Sequence, residues 1–569
     1  MADIETTDAT GTDTQDVFRV ARAWLAQDPD AETRAELEAL IVSAEGGSDE
    51  ALAELHDRFD TRLAFGTAGL RGRIEAGSAR MNRVLVSQAA AGLAAYLLER
   101  EQKPSVVIGY DGRKNSAVFA RDTAEIMAGA GVRAVLLPRL LPTPVLAFAV
   151  RHLDVSAGVM VTASHNPPAD NGYKVYLGGE HEGSQIVSPS DAEIAAHITR
   201  VAAEQNVLEL PRSDTFETAG EDLLDAYVAE TAKVMTAKPV DLNVVYTAMH
   251  GVGWETFSRV AEAAGLATIT PVEEQQHPDA AFPTVSFPNP EEPGALDLAY
   301  AKAREVGAEL IVANDPDADR LSIAIPDPSN DEGYRQLSGN EVGWLLGWRA
   351  AVIHAEQSAP GGALACSIVS SPALAAVARE YDLDFVETLT GFKWVSRVPN
   401  LLFGYEEALG YLVNPTTVRD KDGISAATDF LSMVCFLREQ GVTVERALEA
   451  FAEKFGYFAS DQLSLRVTDL GDIAKIMAHL RAEPLQQLGG VKVNEIDDLI
   501  DGFGSLPATD ALRFVLADGS RVMARPSGTE PKIKFYLDVQ RPNEKRDEAS
   551  VVLAAIKAEL AEIAARVTA

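Results

Sequence analysis

Ser105-Val-Val-Ile-Gly-Tyr-Asp111 is a short apolar run that ends in a polar residue, the pattern of a strand buried on both faces. A helix is expected from about Ser116, then strands at Arg133–Leu137 and Ala157–Ala163. Strand and helix alternating at this spacing spell βαβ units and a parallel sheet. The rhythm returns at Asn243–Tyr246, with a helix from about Trp254 and a strand at Glu309–Ala313. It returns again as a helix at Glu341–Glu356, a strand at Leu364–Val369, a further helix and a strand at Asp384–Thr388. Upstream, Val17 to about Leu55 and Val84–Glu101 carry apolar residues at helical spacing around a glycine-rich segment at Gly66–Gly72. The C-terminal part differs. Strand-like Asp461–Thr468, Ala511–Leu516 and Ile533–Val539 alternate with helices at Gly471–Arg481 and Lys545–Val567, which reads as α+β. The expected organisation is a tail over 1–16, α/β domains over 17–210, 211–325 and 326–455, and an α+β domain over 456–569.

Composition bounds the function. A chain of 569 residues at about 150 per domain gives roughly four domains. Lys and Arg number 50 against 85 Asp and Glu, a formal net charge of −35, and such a field repels nucleic acids and anionic membranes. Two cysteines, Cys366 and Cys435, exclude a disulfide framework or a Cys-based zinc cluster and fit a reducing cytoplasm. No apolar run approaches the roughly eighteen residues of a membrane-spanning helix. Met1–Asp16 is acidic and Thr-rich, the reverse of a secretory signal. A cytoplasmic protein with neither nucleic acid nor membrane as partner is expected.

Three segments carry chemistry. Thr162-Ala-Ser-His-Asn-Pro-Pro168 follows an apolar strand, so Ser164 sits on a stiff turn where α/β sheets place ligands; the plain alternative is an Asx/Pro turn that merely ends a strand. A serine-hydrolase triad is disfavoured, because the nucleophile elbow is absent and His165 is the immediate neighbour of Ser164. In Asn314-Asp-Pro-Asp-Ala-Asp-Arg320 three carboxylates at alternate positions can converge on a hard cation such as Mg²⁺. The alternative is a solvated acidic turn, against which stands the mutual repulsion of three crowded charges. An EF-hand is excluded, since Arg320 and Pro326 occupy the positions that need Gly and Glu. Arg525-Pro-Ser-Gly-Thr-Glu-Pro-Lys532 offers a guanidinium fork, hydroxyls and backbone N–H groups for an anion, or else is a Gly/Pro turn. No Walker A sequence occurs, and Gly251-Val-Gly253 has Thr256 in place of the third glycine of a dinucleotide fingerprint. Together the three segments supply a nucleophile, a divalent-metal site and an anion clamp, the parts of a phosphoryl-transfer centre.

These motifs, in this order, resemble the α-D-phosphohexomutase superfamily of phosphoglucomutases, phosphomannomutases and phosphopentomutase relatives. The resemblance runs from about Leu63 to the C-terminal helix. It is carried by Phe65-Gly-Thr-Ala-Gly-Leu-Arg-Gly72, Thr162–Pro168 with Asn171-Gly-Tyr-Lys174, Asp315–Arg320, Gly404-Tyr-Glu-Glu-Ala-Leu-Gly410 and Arg525–Pro531. Phe65–Arg71 and Gly391-Phe-Lys-Trp-Val395 look closest to the long branch of the family. The resemblance implies three similar mixed α/β domains and a C-terminal α+β domain around a central cleft. It implies that Ser164 carries the phosphoryl group and that Asp315, Asp317 and Asp319 bind Mg²⁺ together with the seryl phosphate. Arg320 and Arg71 would lie beside that phosphate, with His165, Lys174 and Lys393 as proton-transfer or charge-stabilising groups. Glu406 would accept hydrogen bonds from two sugar hydroxyls. Arg525, Ser527, Gly528 and Thr529, with Lys534, would hold the phosphate that is not being transferred.

The implied reaction interconverts sugar 1-phosphate and 6-phosphate, with glucose as the first choice of sugar and mannose or a pentose as alternatives. A sugar 1,6-bisphosphate would serve as intermediate and activator, in a monomer or small homo-oligomer. One position departs from the family pattern: Ala408 stands where the sugar loop often has Ser, and a missing hydroxyl weakens discrimination by roughly 0.5–1.5 kcal/mol. A Mg²⁺-dependent sugar-phosphate phosphatase would use the same residues but admit water. A non-catalytic sugar-phosphate sensor would be expected to have lost Ser164 or one of the aspartates.

Overall fold

Three times along the chain a buried strand turns back into an antiparallel partner. Each turn holds one of the segments singled out above. Ala157–Val161 leads through the Ser164 turn into Asp170–Leu177. Leu310–Asn314 leads through the aspartate turn into Leu321–Pro326, and Leu401–Glu406 leads through Glu407–Leu409 into Gly410–Leu412. On its other side each leading strand pairs in parallel with an earlier one, Ser105–Tyr110, Val244–Thr247 and Ala363–Ser367 respectively. Each of these pairs in parallel with Arg133–Leu136, Ile269–Pro271 or Asp384–Thr388. The same four-strand order is thus built three times, without a strict repeat in the sequence.

The computed structural model describes residues 14–266, 269–467, 470–504, 506–526 and 532–568. The expected rhythm of helix and strand is present, and the sheets are mixed rather than wholly parallel. The antiparallel strands Asp170–Leu177, Leu321–Pro326 and Gly410–Leu412 are absent from the sequence reading. They follow their turns at once and are buried on both faces, so no alternation marks them. In the first sheet Leu70–Arg73 is added antiparallel beyond Asp170–Leu177, with Arg71 opposite Gly172. The C-terminal domain is a six-stranded antiparallel sheet in the order Tyr457–Arg466, Lys532–Arg541, Arg521–Pro526, Leu512–Leu516, Val491–Asp498, Gln487–Leu488. Helices Leu470–Ala482 and Arg546–Thr568 cover its apolar face through Ile476, Leu480, Ile556 and Leu560.

The N-terminal helical stretch is three helices, Thr14–Gln27, Ala31–Glu45 and Asp49–Phe59, the last two capped by Asp30 and Ser48. Trp24, Leu37, Leu55 and Phe59 pack them onto Val84 and Ala90 of the first domain. Helices Gly339–Glu356 and Gly423–Glu439 are buried over most of their length. One apolar core passes through all three α/β units and includes Phe148, Tyr227, Phe257, Leu345, Phe403 and Phe430. The C-terminal domain has its own core and meets the third unit at a small patch of Ile368, Val369, Met523 and Tyr536. Among the described residues no helix is long and apolar enough to cross a membrane.

Phe430 is fully buried in the shared core. Phe430→Ala should therefore destabilise the three joined units by about 3–5 kcal/mol. Denaturant titration followed by tryptophan fluorescence tests this, and an unchanged midpoint would show that the shared core does not limit stability.

Candidate active site

The Ser164 turn is held by its own backbone. Ser164 is at φ 50, a left-handed conformation that an L-residue keeps only when its surroundings enforce it. Its N–H donates to Thr162 Oγ1 at 2.9 Å. The guanidinium of Arg113, buried behind the turn, donates to the carbonyl oxygens of Ser164, Asn166, Pro167 and Asp170. In this pose Ser164 Oγ donates to Asp315 Oδ2 at 2.7 Å and lies 3.3 Å from His165 Nδ1. The nucleophile candidate and the carboxylate cluster, from different domains, are therefore in direct contact.

The aspartate turn is tight. Ala318 is at φ 56 and its N–H donates to the Asp315 carbonyl at 2.8 Å. A Cβ on Gly251 would stand 2.3 Å from Pro316 Cα, so Gly251 is needed for close packing behind the turn and not for a nucleotide. Asp315, Asp317 and Asp319 are fully buried, and each offers an oxygen within 4.8 Å of the others. Lys174 Nζ donates to Asp317 at 2.8 Å and Asp319 at 2.9 Å. Thr143 Oγ1 donates to Asp317 at 2.7 Å, and Lys421 Nζ is 3.2 Å from Asp319. Burial and the two neighbouring carboxylates push Asp315 well above the usual carboxylate range. Against burial, Lys174 holds Asp317 and, with Lys421, Asp319 below it. Asp317 Oδ1 and Asp319 Oδ1 are buried without a hydrogen-bond partner. Three crowded carboxyl groups with two unused oxygens are an arrangement that a divalent oxygen-seeking cation would complete. The residues fit Mg²⁺.

Cations close the ring. Arg71 donates to Asn166 Oδ1 at 3.1 Å. Arg320 donates its backbone N–H to Asp315 Oδ1 at 3.0 Å and its guanidinium to the Ala408 carbonyl. His165 is pushed well below its ordinary range by burial and by Arg320 and Arg71. Glu406 Oε1 accepts the Gly391 N–H at 2.6 Å, and burial with Glu407 beside it raises its carboxyl. Lys393 reaches Thr67 of the first domain and is lowered by burial. Arg525, on the strand Arg521–Pro526, stands opposite Lys534 in register. Ser527, Gly528 and Thr529 lie outside the described residues.

The structure thus brings Arg71, Ser164, His165, Lys174, the three aspartates and Arg320 together, with Glu406 and Lys393 on the third domain. It adds Lys421, Arg113 and Thr143, which are absent from the sequence reading. Lys421 is buried beside Asp319, with its ammonium 5.4 Å from the Phe392 ring centre. Its available signal is the charged run Arg419-Asp-Lys-Asp422 ahead of an apolar helix. Arg113 has no such signal, because its partners are backbone carbonyls. Ala408 contributes a backbone carbonyl, and Leu409 accepts the Leu321 N–H at 3.0 Å, so the aspartate and sugar turns are joined through main-chain atoms.

Comparison with known proteins agrees with this architecture. Models for phosphoglucomutase/phosphomannomutase alpha/beta/alpha domains I, II and III match residues 62–205, 225–328 and 338–455, and the C-terminal domain model matches 465–555. A probable phosphomannomutase of Haemophilus influenzae is 56% identical over 83% of this chain and 96% of its own. A phosphopentomutase of Mus musculus is 34% identical over 91% and 89%, and a phosphoglucomutase of Staphylococcus haemolyticus is 34% identical over 85% and 92%. The phosphoglucomutase pp63/parafusin of Paramecium, in its open form, shares the fold at a TM-score of 0.69 and 22% identity, over 89% of this chain and 96% of that one. The chain belongs to the phosphoglucomutase/phosphomannomutase family and is an enzyme, a phosphosugar mutase.

If the aspartate turn holds Mg²⁺, Asp317→Asn should raise the dissociation constant for the metal by roughly 10–100-fold. Titration calorimetry with Mg²⁺ measures this. Equal affinities for variant and wild type would return the segment to an acidic turn neutralised by lysine alone.

Proposed function

We propose that the enzyme interconverts α-D-glucose 1-phosphate and glucose 6-phosphate through a phosphorylated Ser164 and a glucose 1,6-bisphosphate intermediate. The observation that carries the proposal is Ser164 Oγ in hydrogen-bond contact with a buried carboxylate cluster that is ringed by Arg71, Lys174, Arg320 and Lys421. Phosphorylated Ser164 donates its group to the free sugar hydroxyl. The bisphosphate turns end over end, and its opposite phosphate returns to Ser164. Asp315, Asp317 and Asp319 would hold Mg²⁺, which when bound neutralises charge on the transferring group. His165, 3.3 Å from Ser164 Oγ, is placed to take or return the hydroxyl proton. Arg320 orients the phosphate, and Glu406 accepts from sugar hydroxyls. Arg525 and Lys534, with Ser527, Gly528 and Thr529, hold whichever phosphate is not reacting.

Mannose phosphate is the second reading, supported by the 56% identity to a probable phosphomannomutase. Glucose and mannose differ only in the configuration at carbon 2. A single acceptor such as Glu406 separates them only if one of its hydroxyl partners is that group, and Ala408 brings no side-chain hydroxyl to help. Initial rates with glucose, mannose and ribose 1-phosphates, each with its bisphosphate, test the choice. A kcat/KM for mannose above that for glucose would replace the first reading with the second.

Ser164→Ala should lower mutase turnover by about three powers of ten or more while the melting temperature is kept; turnover within tenfold of wild type would overturn the nucleophile assignment. Arg525→Ala should raise KM for both the 1-phosphate and the 6-phosphate. A charge-assisted contact of roughly 1.5–3 kcal/mol corresponds to about 10–100-fold. Unchanged KM values for both substrates would remove Arg525 from the clamp.

A further inference from the structure

Arg113 lies in the loop after the strand Ser105–Tyr110, and no step of the proposed cycle uses it. It is 4% exposed. Nη2 donates to the carbonyls of Ser164 and Asn166, both at 2.6 Å, and Nη1 to those of Pro167 and Asp170 at 2.8 and 3.1 Å. Two terminal nitrogens thus fix four main-chain oxygens within seven consecutive residues. The other restraints on the turn are single hydrogen bonds, among them Ser164 N–H to Thr162 Oγ1, Asn166 N–H to the Ala163 carbonyl, Asn166 Nδ2 to Asp170 Oδ2, Asp170 N–H to the Pro167 carbonyl and Ile74 N–H to the Ala169 carbonyl, while Pro167 and Pro168 lack N–H groups. The guanidinium is itself fixed. Its Nε is 3.6 Å from Asp111 Oδ2, while Asp111 Oδ1 accepts from the Arg113 N–H and from Ser116 Oγ at 3.0 and 2.7 Å. Its other face looks onto Phe282 of the second domain, 5.1 Å from the ring centre.

We propose that Arg113 is the positioning residue of the phosphoryl-transfer step: its planar fork holds the Ser164 turn in the left-handed backbone conformation that aims Oγ at Asp315. The proposal rests on the reading of Ser164 as nucleophile. The physical reason is geometric. Ser164 at φ 50 is strained for a residue with a Cβ, and the alternative extended conformation would carry Oγ out of reach of a centre to which it is now bonded at 2.7 Å. Four carbonyls gathered on one guanidinium make that alternative unfavourable, because relaxing the turn would leave buried donors unpaired. A lysine keeps the charge but is a point donor, and it cannot span four acceptors in a plane. Arg113 touches no group that binds sugar. Substrate affinity therefore stays outside its influence, and the rate of transfer does not.

Arg113→Lys separates position from charge. Wild-type turnover is measured first; its absence on all three sugar phosphates would defeat the mutase reading and not this one. With wild type active, the variant should show kcat lowered by about a hundredfold, the cost of misplacing a reacting atom by about 1 Å. KM should stay within twofold. Hydrogen exchange should rise over 163–171 and stay unchanged in the strands Ser105–Tyr110 and Ala157–Val161. A kcat reduced less than tenfold overturns the proposal, since charge alone then suffices. So does a KM that rises in step with the fall in kcat. If the variant melts early, the exchange pattern decides: opening confined to 163–171 supports the positioning role, and opening across the whole first sheet assigns Arg113 to the fold.

Discussion

Three carboxylates packed within a few ångströms of one another, without exposure to water, are the constraint that the surrounding structure answers. Like charges at such distances in a low-dielectric setting repel strongly, and each also loses its hydration. No single domain supplies the compensation. The first contributes Lys174, Thr143 and the Ser164 hydroxyl, the third contributes Lys421, and the second supplies the aspartates and Arg320. A cluster neutralised from three directions is stable only where the three domains meet. The shared apolar core exists at that junction, and the domains beneath the cluster are correspondingly joined.

The repeated topology explains how the chain delivers these groups to one place. In an α/β sheet the C-terminal ends of parallel strands open onto a crevice, and a turn there projects side chains without disturbing the layers below. Here the turn is a reversal into an antiparallel strand, used once per domain. The serine, aspartate and sugar turns therefore start from equivalent backbone positions. The C-terminal domain makes the same kind of reversal between Arg521–Pro526 and Lys532–Arg541, which places Arg525 at a strand end as well. Left-handed residues mark three of these turns, Ser164, Ala318 and Leu409. Of the three, the Ser164 turn is the one whose carbonyl oxygens are gathered on the Arg113 guanidinium.

Much of this was legible in the sequence. Apolar strands followed by polar turns gave the α/β rhythm, and Ser164, the alternate aspartates and Arg525 stood out by residue type and spacing. The parts that were not legible share a cause: they are contacts between side chains and main-chain atoms distant in the chain. Arg113 is an ordinary surface-like arginine in a one-dimensional reading, and its four acceptors carry no residue identity. Ala408 read as a lost hydroxyl, whereas its carbonyl accepts from Arg320, an interaction any residue there could make. The apolar alternation of the strand Val491–Asp498 is broken by a register shift between Val493 and Glu495, and its Asp497 is a buried acid paired with Arg513, so neither face reads cleanly in one dimension. Gly251 does not belong to a nucleotide motif in the sequence, and its packing role comes only from the proximity of Pro316.

The contrast between the joined domains and the C-terminal one bears on the proposed cycle. An intermediate that must turn over needs a phosphate clamp that can release it and a reacting centre that does not change shape meanwhile. The carboxylate cluster stands where the three domains with a continuous core meet. The clamp candidates Arg525 and Lys534 stand on a domain with a separate core. That domain is attached through Phe458, which packs beside Trp344 in the shared core, through a small apolar patch, and through Arg513 and Arg521, both paired with Glu387, while Arg521 also donates to the Ser370 carbonyl. Arg521 and Arg525 lie on one strand four residues apart, so their side chains share a face. The strand is fastened to the third domain at one end and presents the clamp at the other. Ser370 in turn donates to Glu407 in the sugar turn at 2.9 Å. A shift of this strand would therefore be felt by the sugar turn through two hydrogen bonds, and by the aspartate turn through the bonds of Arg320 to the Ala408 carbonyl and of Leu321 to the Leu409 carbonyl.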